Sequence, residues 1–206
     1  LNPSSAASDV YKRQISGKGG HAAKPHETID PTVIASQIVV ALQTIASRRT
    51  DPVEQVVVSI TSFETSSTAF NVIPQEVKIK GTVRTLDPDV RDLAEKEFLR
   101  ITELTAEALG GSADAKFTRG YPVMSNTSEQ TEFAAKVARD VSGECAEAPL
   151  VMGGEDFAYM LEERPGAYIL LGNGDSSPVH HPEYNFNDDA IPFGLSLIHI
   201  SEPTRL

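Results

Sequence analysis

The chain is predicted to be an α/β protein of the mixed (α+β) type, whose first part is an antiparallel ferredoxin-like βαββαβ domain. Three sequence patterns lead to this prediction. Apolar residues recur at helical spacing over residues 28–49, and β-branched residues dominate residues 55–63. Apolar and polar residues alternate over residues 75–86, as they do in a strand with one buried and one wet face.

The predicted elements of this first part follow the order strand, helix, strand, strand, helix, strand. Asp30 and Pro31 give the first helix a capping side chain and a proline in its first turn. Gly110 and Gly111 end the second helix, because glycine is the usual residue just past a helix terminus. This order is the split βαβ arrangement, in which two helices cover one face of the sheet. In chain order the elements span residues 15–17, 28–49, 55–63, 75–86, 87–109 and 113–119.

The sequence changes character after Gly120. Helices are predicted over residues 127–141 and 154–161, an apolar buried strand over residues 167–171, and a further helix from Asp188. One strand and three helices do not bury a core of their own. This second part is therefore expected to be one portion of a larger domain.

The two ends are expected to be foreign to the protein. Residues 1–14 have no clear apolar period, residues 196–206 interrupt a helix, and both resemble translated sequencing-adapter sequence. Such segments are excluded from fold reasoning. The predicted division is a non-native segment at 1–14, one domain at 15–119, part of another at 120–195 and a non-native tail at 196–206. The native part is then an internal piece of a longer protein.

Composition restricts the classes of function. The net charge of −11 argues against nucleic acid or an anionic membrane as a partner, because phosphate binding needs clustered Lys and Arg. No apolar run reaches the roughly 18 residues that span a bilayer. The single cysteine, Cys145, excludes an internal disulfide framework and fits a reducing, cytoplasmic compartment. We assign Cys145 no catalytic role.

Histidines and glycines concentrate in residues 17–26 (GKGGHAAKPH). A phosphate-binding loop is excluded, because Gly20 is followed by His21 where that loop needs Lys and then Ser or Thr. A simple turn remains possible. His180 and His181 stand side by side, but such a pair alone favours a solvated surface over a metal site, because a strong metal signal needs several ligands at set spacing.

Four blocks, at residues 17–26, 71–74 (NVIP), 81–85 (GTVRT) and 180–188 (HHPEYNFND), occur together. In this order and spacing they resemble the dinuclear metal amidohydrolases of the hippurate-hydrolase and indole-acetyl-amino-acid-hydrolase type, relatives of aminoacylase and carboxypeptidase G. The resemblance runs from about Ile15 to about Gly194. It implies that residues 15–119 are a lid and dimerisation domain, inserted into an α/β catalytic domain to which the chain then returns.

The resemblance also implies a site. Two divalent metal ions (Zn, Mn, Ni or Co) are expected in the parent protein, with most ligands and the general base in sequence that precedes the lid. His180 matches a metal ligand, and His181 is expected to be a solvated neighbour. His21 matches the lid histidine that donates to the developing oxyanion across the dimer interface. Asn71 and Arg84 match residues that bind the substrate carboxylate.

Some assignments keep an alternative. Glu155 and Asp156 match a motif near the metal pocket, where they would orient ligands, but acidic residues also favour a helix start. Asn71 could be a turn residue before Pro74, and Arg84 a solvated strand charge.

We therefore predict a piece of a metal-dependent amidohydrolase that acts on N-acyl amino acids. It is expected to form a homodimer through the lid and to be inactive as these 206 residues. The alternative is a non-catalytic ferredoxin-like module for dimerisation or small-molecule binding. Residues 154–188 favour the enzyme, because such a module has no use for them.

Overall fold

A computed structural model describes residues 3–201 of the chain. Its strands are β1 (Pro3–Ser5), β2 (Ala7–Ser16), β3 (Gly20–His21), β4 (Val56–Thr65), β5 (Val72–Ile73), β6 (Glu76–Thr85), β7 (Ser112–Thr118) and β8 (Met124–Ser125). Its α-helices are α1 (Pro31–Thr44), α2 (Pro88–Ala108), α3 (Ser128–Ser142), α4 (Ala158–Glu163) and α5 (Ile191–Ser201). The chain is a mixed α/β protein, as predicted.

The described residues form two compact units. The larger comprises Ser5–Met124 and Val151–Ala158, and we call it the sheet unit. The smaller is built mainly from Ser125–Leu150 and the described residues of Tyr159–Leu206, and we call it the helical unit. The change at Met124 lies a few residues beyond the predicted change at Gly120. The short return of Val151–Ala158 to the sheet unit was not predicted.

A four-stranded antiparallel sheet in the order β4-β6-β2-β7 forms the centre of the sheet unit. Its strands and the helices α1 and α2 follow the predicted order strand, helix, strand, strand, helix, strand. Asp30 caps α1 through a hydrogen bond from the Thr32 backbone amide, as expected. Gly110 follows α2 with a φ of +80°, the left-handed conformation that glycine adopts without strain.

The core lies between one face of this sheet and the helices α1 and α2. Inward positions of β6 alternate with outward ones, so that Val77, Ile79 and Val83 are fully buried while Lys78 and Lys80 are exposed. The predicted alternation of this strand is thus confirmed. Tyr11, Phe98 and Phe117 form an aromatic row between β2, α2 and β7, with ring centroids 4.3 Å and 5.5 Å apart.

Both segments expected to be foreign take part in regular structure where they are described. Residues 7–14 belong to β2, an interior strand with alternating burial, although no period was expected there. Helix α5 runs through Ser196 to Ser201, and residues 202–206 lie outside the described part. The origin of the two segments stays a prediction.

One expectation about a strand is wrong. Residues 167–171 are irregular, and Leu170 and Leu171 are 63% and 52% exposed; no strand of the described residues includes this segment, and the Tyr168 backbone bonds to the side chain of Asn126. In the four-stranded sheet β6 is hydrogen-bonded on both sides, and β4 and β7 are the edges. In the described residues no helix is both long and apolar enough to cross a membrane.

Candidate functional site

The structure brings His21 and Asn71 together beyond one end of the four-stranded sheet. The short strands β3 and β5 pair so that His21 lies opposite Val72. The Ala22 backbone amide donates to the Asn71 carbonyl at 3.0 Å. Both side chains are exposed. We call residues 20–23 and 71–73 the tip.

Two glycines allow the backbone to reach the tip. A Cβ on Gly17 would lie 2.1 Å from the Ile29 carbonyl oxygen, and one on Gly19 would lie 2.8 Å from the Ile73 carbonyl oxygen. Such separations leave no room for a side chain. Both glycines thus allow close approach of the turn to the chain's own backbone.

The His21 ring is held in one tautomer. Its Nδ1 accepts a hydrogen bond from the Ala23 backbone amide at 3.1 Å. In the neutral imidazole the proton must then be on Nε2. The exposed ring therefore presents an N–H donor to the surroundings of the tip, which is the property that an oxyanion-stabilising group requires.

Arg84 lies at the opposite end of the same sheet. It is the penultimate residue of β6, opposite Ser8 on β2 and Val57 on β4. At about 3.4 Å per residue, it lies about 27 Å along the strand from Glu76, where the tip end begins. Arg84 therefore does not meet His21 or Asn71 within one chain.

The Arg84 end of the sheet carries the segment of Val151–Ala158. The Ala6 amide donates to the Gly153 carbonyl at 2.8 Å, which fixes the segment beside β2. A Cβ on Gly154 would lie 2.8 Å from Nη1 of Arg84 and 2.5 Å from Cβ of Ser8. Arg84 thus reaches the backbone of the Gly154–Glu155–Asp156 motif.

Glu155 is half-buried and Asp156 is exposed. The Phe157 amide approaches Oε1 of Glu155 at 3.5 Å, and the Ala158 amide donates to the Glu155 carbonyl at 3.3 Å. These contacts lie at the start of α4, which begins later than the predicted helix at 154–161. They fit the helix-start alternative, and a role in orienting ligands stays a prediction.

His180 is in the helical unit, on a loop with exceptional backbone geometry. Its φ is +69°, the one positive φ of a non-glycine residue in the described range 3–201. That conformation is disfavoured for a side chain with a Cβ and concentrates at functional positions. His181 is exposed, and its Nδ1 accepts from the Glu183 amide at 3.1 Å.

The described residues, 3–201, do not by themselves bring together a cluster of metal ligands. No group of three or more His, Cys, Asp or Glu side chains with metal-binding geometry occurs in residues 3–201. One exposed imidazole cannot hold a metal pair, because the free energy of binding comes from several ligands acting together. Whether His180 is a metal ligand stays a prediction.

Two amide side chains were missed at the sequence level. Gln75 hydrogen-bonds to Gly17 and Gly19, beneath the tip. Asn173 closes the His180 loop, donating to the Asn185 carbonyl at 2.8 Å and accepting from the Asn187 amide at 2.7 Å. The available signals were weak: Gln75 follows Pro74 of the NVIP block, and Asn173 stands between two glycines.

Comparison with known proteins gives consistent matches. The profile of peptidase family M20/M25/M40 matches residues 23–200. An N-acetyl-L-cysteine deacetylase of Bacillus subtilis is 38% identical over 92% of this chain and 45% of its own length. A hippurate hydrolase of Campylobacter jejuni is 38% identical over 89% of this chain and 48% of its own length.

Solved structures agree. A Staphylococcus aureus protein assigned as an aminohydrolase superposes with a TM-score of 0.83 and 34% identity, over 96% of this chain and 51% of that one. A Bacillus subtilis dinuclear metal binding peptidase of the M20 family superposes with a TM-score of 0.76 and 28% identity, over 98% of this chain and 50% of that one. The chain spans about half the length of the relatives it matches.

Proposed function

Because the chain belongs to peptidase family M20/M25/M40, we propose that its parent protein is a metal-dependent amidohydrolase that cleaves the amide bond of N-acyl amino acids. The observation that carries the proposal is that one exposed tip carries both an oriented imidazole, His21, and Asn71, whose backbone carbonyl accepts from the Ala22 amide beside His21. Support for the substrate class comes from relatives named for acylated amino acids.

Each side chain has a role that its chemistry suits. Nε2–H of His21 would donate to the oxygen that becomes negative when the amide carbonyl is attacked. Arg84, with two parallel N–H groups, would bind the substrate carboxylate, and Asn71 would add one amide donor. The two ends of the sheet are too far apart to serve one site within a single chain.

A homodimer resolves this separation. Arg84, beside the Gly154–Asp156 motif, would act in the site of its own chain, and the tip would complete the site of a second copy. We place the dimer contact at β4, an edge strand of ten residues on which Val57 and Phe63 are 38% and 43% exposed. An unpaired strand edge is a ready template for pairing with another chain.

The metals would be held mainly by residues outside the present chain. His180 would supply one imidazole ligand, and the remaining ligands would come from the half of the relatives' length that this chain does not span. A metal pair in such a site activates a water molecule and polarises the carbonyl. The 206 residues alone are therefore expected to hydrolyse no acyl amino acid.

The first test is the variant His180→Ala in the complete protein. It is expected to lose bound metal and to lower hydrolysis of N-acetyl and N-benzoyl amino acids by at least about 100-fold, because one ligand of a cooperative site is removed. Metal content by mass spectrometry and kcat/KM are the measurements. His181→Ala is the matched control, with nearly unchanged metal content. Full metal and activity in His180→Ala would refute the assignment.

A second test concerns Arg84→Ala, again in the complete protein. Loss of a charge-assisted, bidentate contact is expected to raise KM by about 10- to 100-fold and to lower kcat much less. Arg84→Lys keeps the positive charge but loses the two parallel N–H donors of the guanidinium group. Its KM should therefore lie between those of the unaltered protein and Arg84→Ala. Steady-state kinetics with one acyl amino acid and with its carboxamide separate the effects, because the carboxamide lacks the group that Arg84 binds. Equal KM values in all three proteins would exclude the carboxylate role.

A further inference from the structure

We propose that Gln75 is the positioning residue of the tip: its carboxamide fixes the Gly17–Gly20 turn and thereby the direction in which His21 points. The proposal deepens the proposed function and rests on it, because it concerns the group that would meet the substrate. Gln75 itself is exposed.

Three hydrogen bonds connect Gln75 to the turn. Its Nε2 donates to the Gly17 carbonyl at 2.6 Å, and its Oε1 accepts from the Gly19 amide at 3.0 Å. Its backbone carbonyl accepts from the Gly17 amide at 3.1 Å. One carboxamide thus satisfies a carbonyl and an amide two residues apart, as a neighbouring strand would do.

The turn depends on the Gln75 carboxamide because residues 17–19 lie outside the four-stranded sheet and have, among the described residues, no neighbouring strand of that sheet to bond to. β2 ends at Ser16, and the short ladder with β5 begins at Gly20, opposite Ile73. Between them Lys18 forms an isolated antiparallel bridge with Ile29, on the side away from Gln75. Gly17 and Gly19 add no side-chain packing and lose much backbone freedom when they are ordered. The hydrogen bonds of Gln75 are the contacts that offset this loss on the side facing β6.

The same position also controls the Asn71 side of the tip. Pro74 precedes Gln75 and is buried. The next residue, Glu76, accepts from the Ser66 amide through its carbonyl at 3.0 Å and donates its own amide to Oγ of Ser66 at 3.2 Å, where β4 has ended. Residues 66–76 therefore form a closed loop whose base is Gln75–Glu76. Gln75 and Glu76 therefore stand at the base of both segments of the tip, bonded to Gly17 and Gly19 on one side and to Ser66 on the other.

The experiment uses NMR on the 206-residue chain, without metal and without turnover. Gln75→Met keeps the length of the side chain and removes both of its hydrogen bonds, while Gln75→Glu keeps the acceptor for Gly19 and removes the donor to Gly17. Gln55→Met, an exposed glutamine outside the tip, is the matched control. The readouts are amide hydrogen exchange at Gly19 and the ring ¹⁵N shifts of His21, which report its tautomer.

Gln75→Met is expected to speed exchange at Gly19 by about tenfold and to mix the two tautomers of His21, with exchange in β6 unchanged. Gln75→Glu should retain most of the Gly19 protection, and Gln55→Met should match the parent chain. Unchanged Gly19 exchange and tautomer in Gln75→Met would overturn the proposal. Equal acceleration throughout β6 would also overturn it, since Gln75 would then stabilise the whole sheet unit.

Failure of the proposed function gives a different result. If His21→Ala in the complete protein leaves hydrolysis unchanged, the tip has no part in the reaction, whatever the NMR data show. If His21→Ala lowers kcat, Gln75→Met should lower kcat as well, by a smaller factor and with KM nearly constant. An unaltered kcat in Gln75→Met would then count against positioning.

Discussion

Mixing two impaired variants of the complete protein, His21→Ala and Arg84→Ala, at a substrate concentration far below the KM of either, where each variant alone hydrolyses little, is expected to restore about a quarter of the activity of the unaltered protein. Random exchange makes about half of the dimers mixed, and each mixed dimer has one intact site out of two. That site lies in the His21→Ala chain, which keeps its own Arg84 and receives His21 from its partner. The other site lacks both groups.

The matched control is a mixture of His21→Ala with Asn71→Ala. Both residues belong to the tip, so each site of the mixed dimer would receive one defective tip, and no activity should return. Recovery is measured as hydrolysis after the dimers are dissociated and reassociated. If His21→Ala and Arg84→Ala together stay inactive although mixed dimers form, both residues act within one chain, and the distance along β6 would have to be bridged in another way.

Local patterns were sufficient to predict much of the sheet unit. The alternation of β6, the cap at Asp30 and the glycine after α2 are each set by short-range preferences of backbone and side chain. Site roles for His21 and Asn71 were implied by resemblance to a family and not by any local pattern. What brings the two residues together is the short β3–β5 ladder, in which His21 lies opposite Val72. It joins residues about 50 positions apart, and no periodicity reports such a contact.

The failures have a common cause, which is that strand formation depends on partners. Residues 167–171 have the composition of a buried strand, but apolar composition does not supply the neighbouring backbone that a strand must bind. Residues 7–14 have no apolar period, yet they are a strand, because β6 and β7 provide hydrogen bonds on both sides. The separation of Arg84 from the tip is a consequence of the length of β6. The sequence predicted this long strand, but it did not indicate that Arg84 and the tip would lie at opposite ends of the sheet.

The second large effect concerns stability, and it is expected at Arg13. This residue is 3% exposed in β2, its guanidinium carbon lies 3.4 Å from the centroid of the Phe98 ring, and Nη2 donates to the Phe98 carbonyl at 3.1 Å. Nε and Nη1 have no hydrogen-bond partner among the described residues. Burial lowers the pKa of Arg13 to about 9, a shift that nearby Tyr11 partly opposes. Arg13 is thus a cation on the inward face of a strand, with no counter-ion among the described residues. Such a local choice disagrees with the buried environment that the fold provides.

Arg13→Met is therefore expected to raise the free energy of unfolding by about 1 to 3 kcal/mol at pH 7, because unpaired buried donors and a desolvated charge are removed from the core. Urea unfolding followed by circular dichroism measures the change. Lys12→Met is the matched control: Lys12 is exposed on the same strand, and its replacement should alter stability by less than about 0.5 kcal/mol. A loss of stability in Arg13→Met would show that the contact with Phe98 outweighs the cost of burying the charge.

The pH dependence provides an independent check, with a sign that follows from the direction of the shift. Above about pH 9 the folded chain releases the Arg13 proton while the unfolded chain still holds it, so that the stability of the parent chain rises with pH. Burial raises the pKa of Tyr11 to about 12, and stability linked to this group is lost between its ordinary pKa and that value. The window from pH 9 to about 10 therefore isolates Arg13. There the advantage of Arg13→Met should shrink as pH rises, whereas a constant advantage would mean that Arg13 remains charged in the folded chain and that the gain in Arg13→Met comes from packing alone.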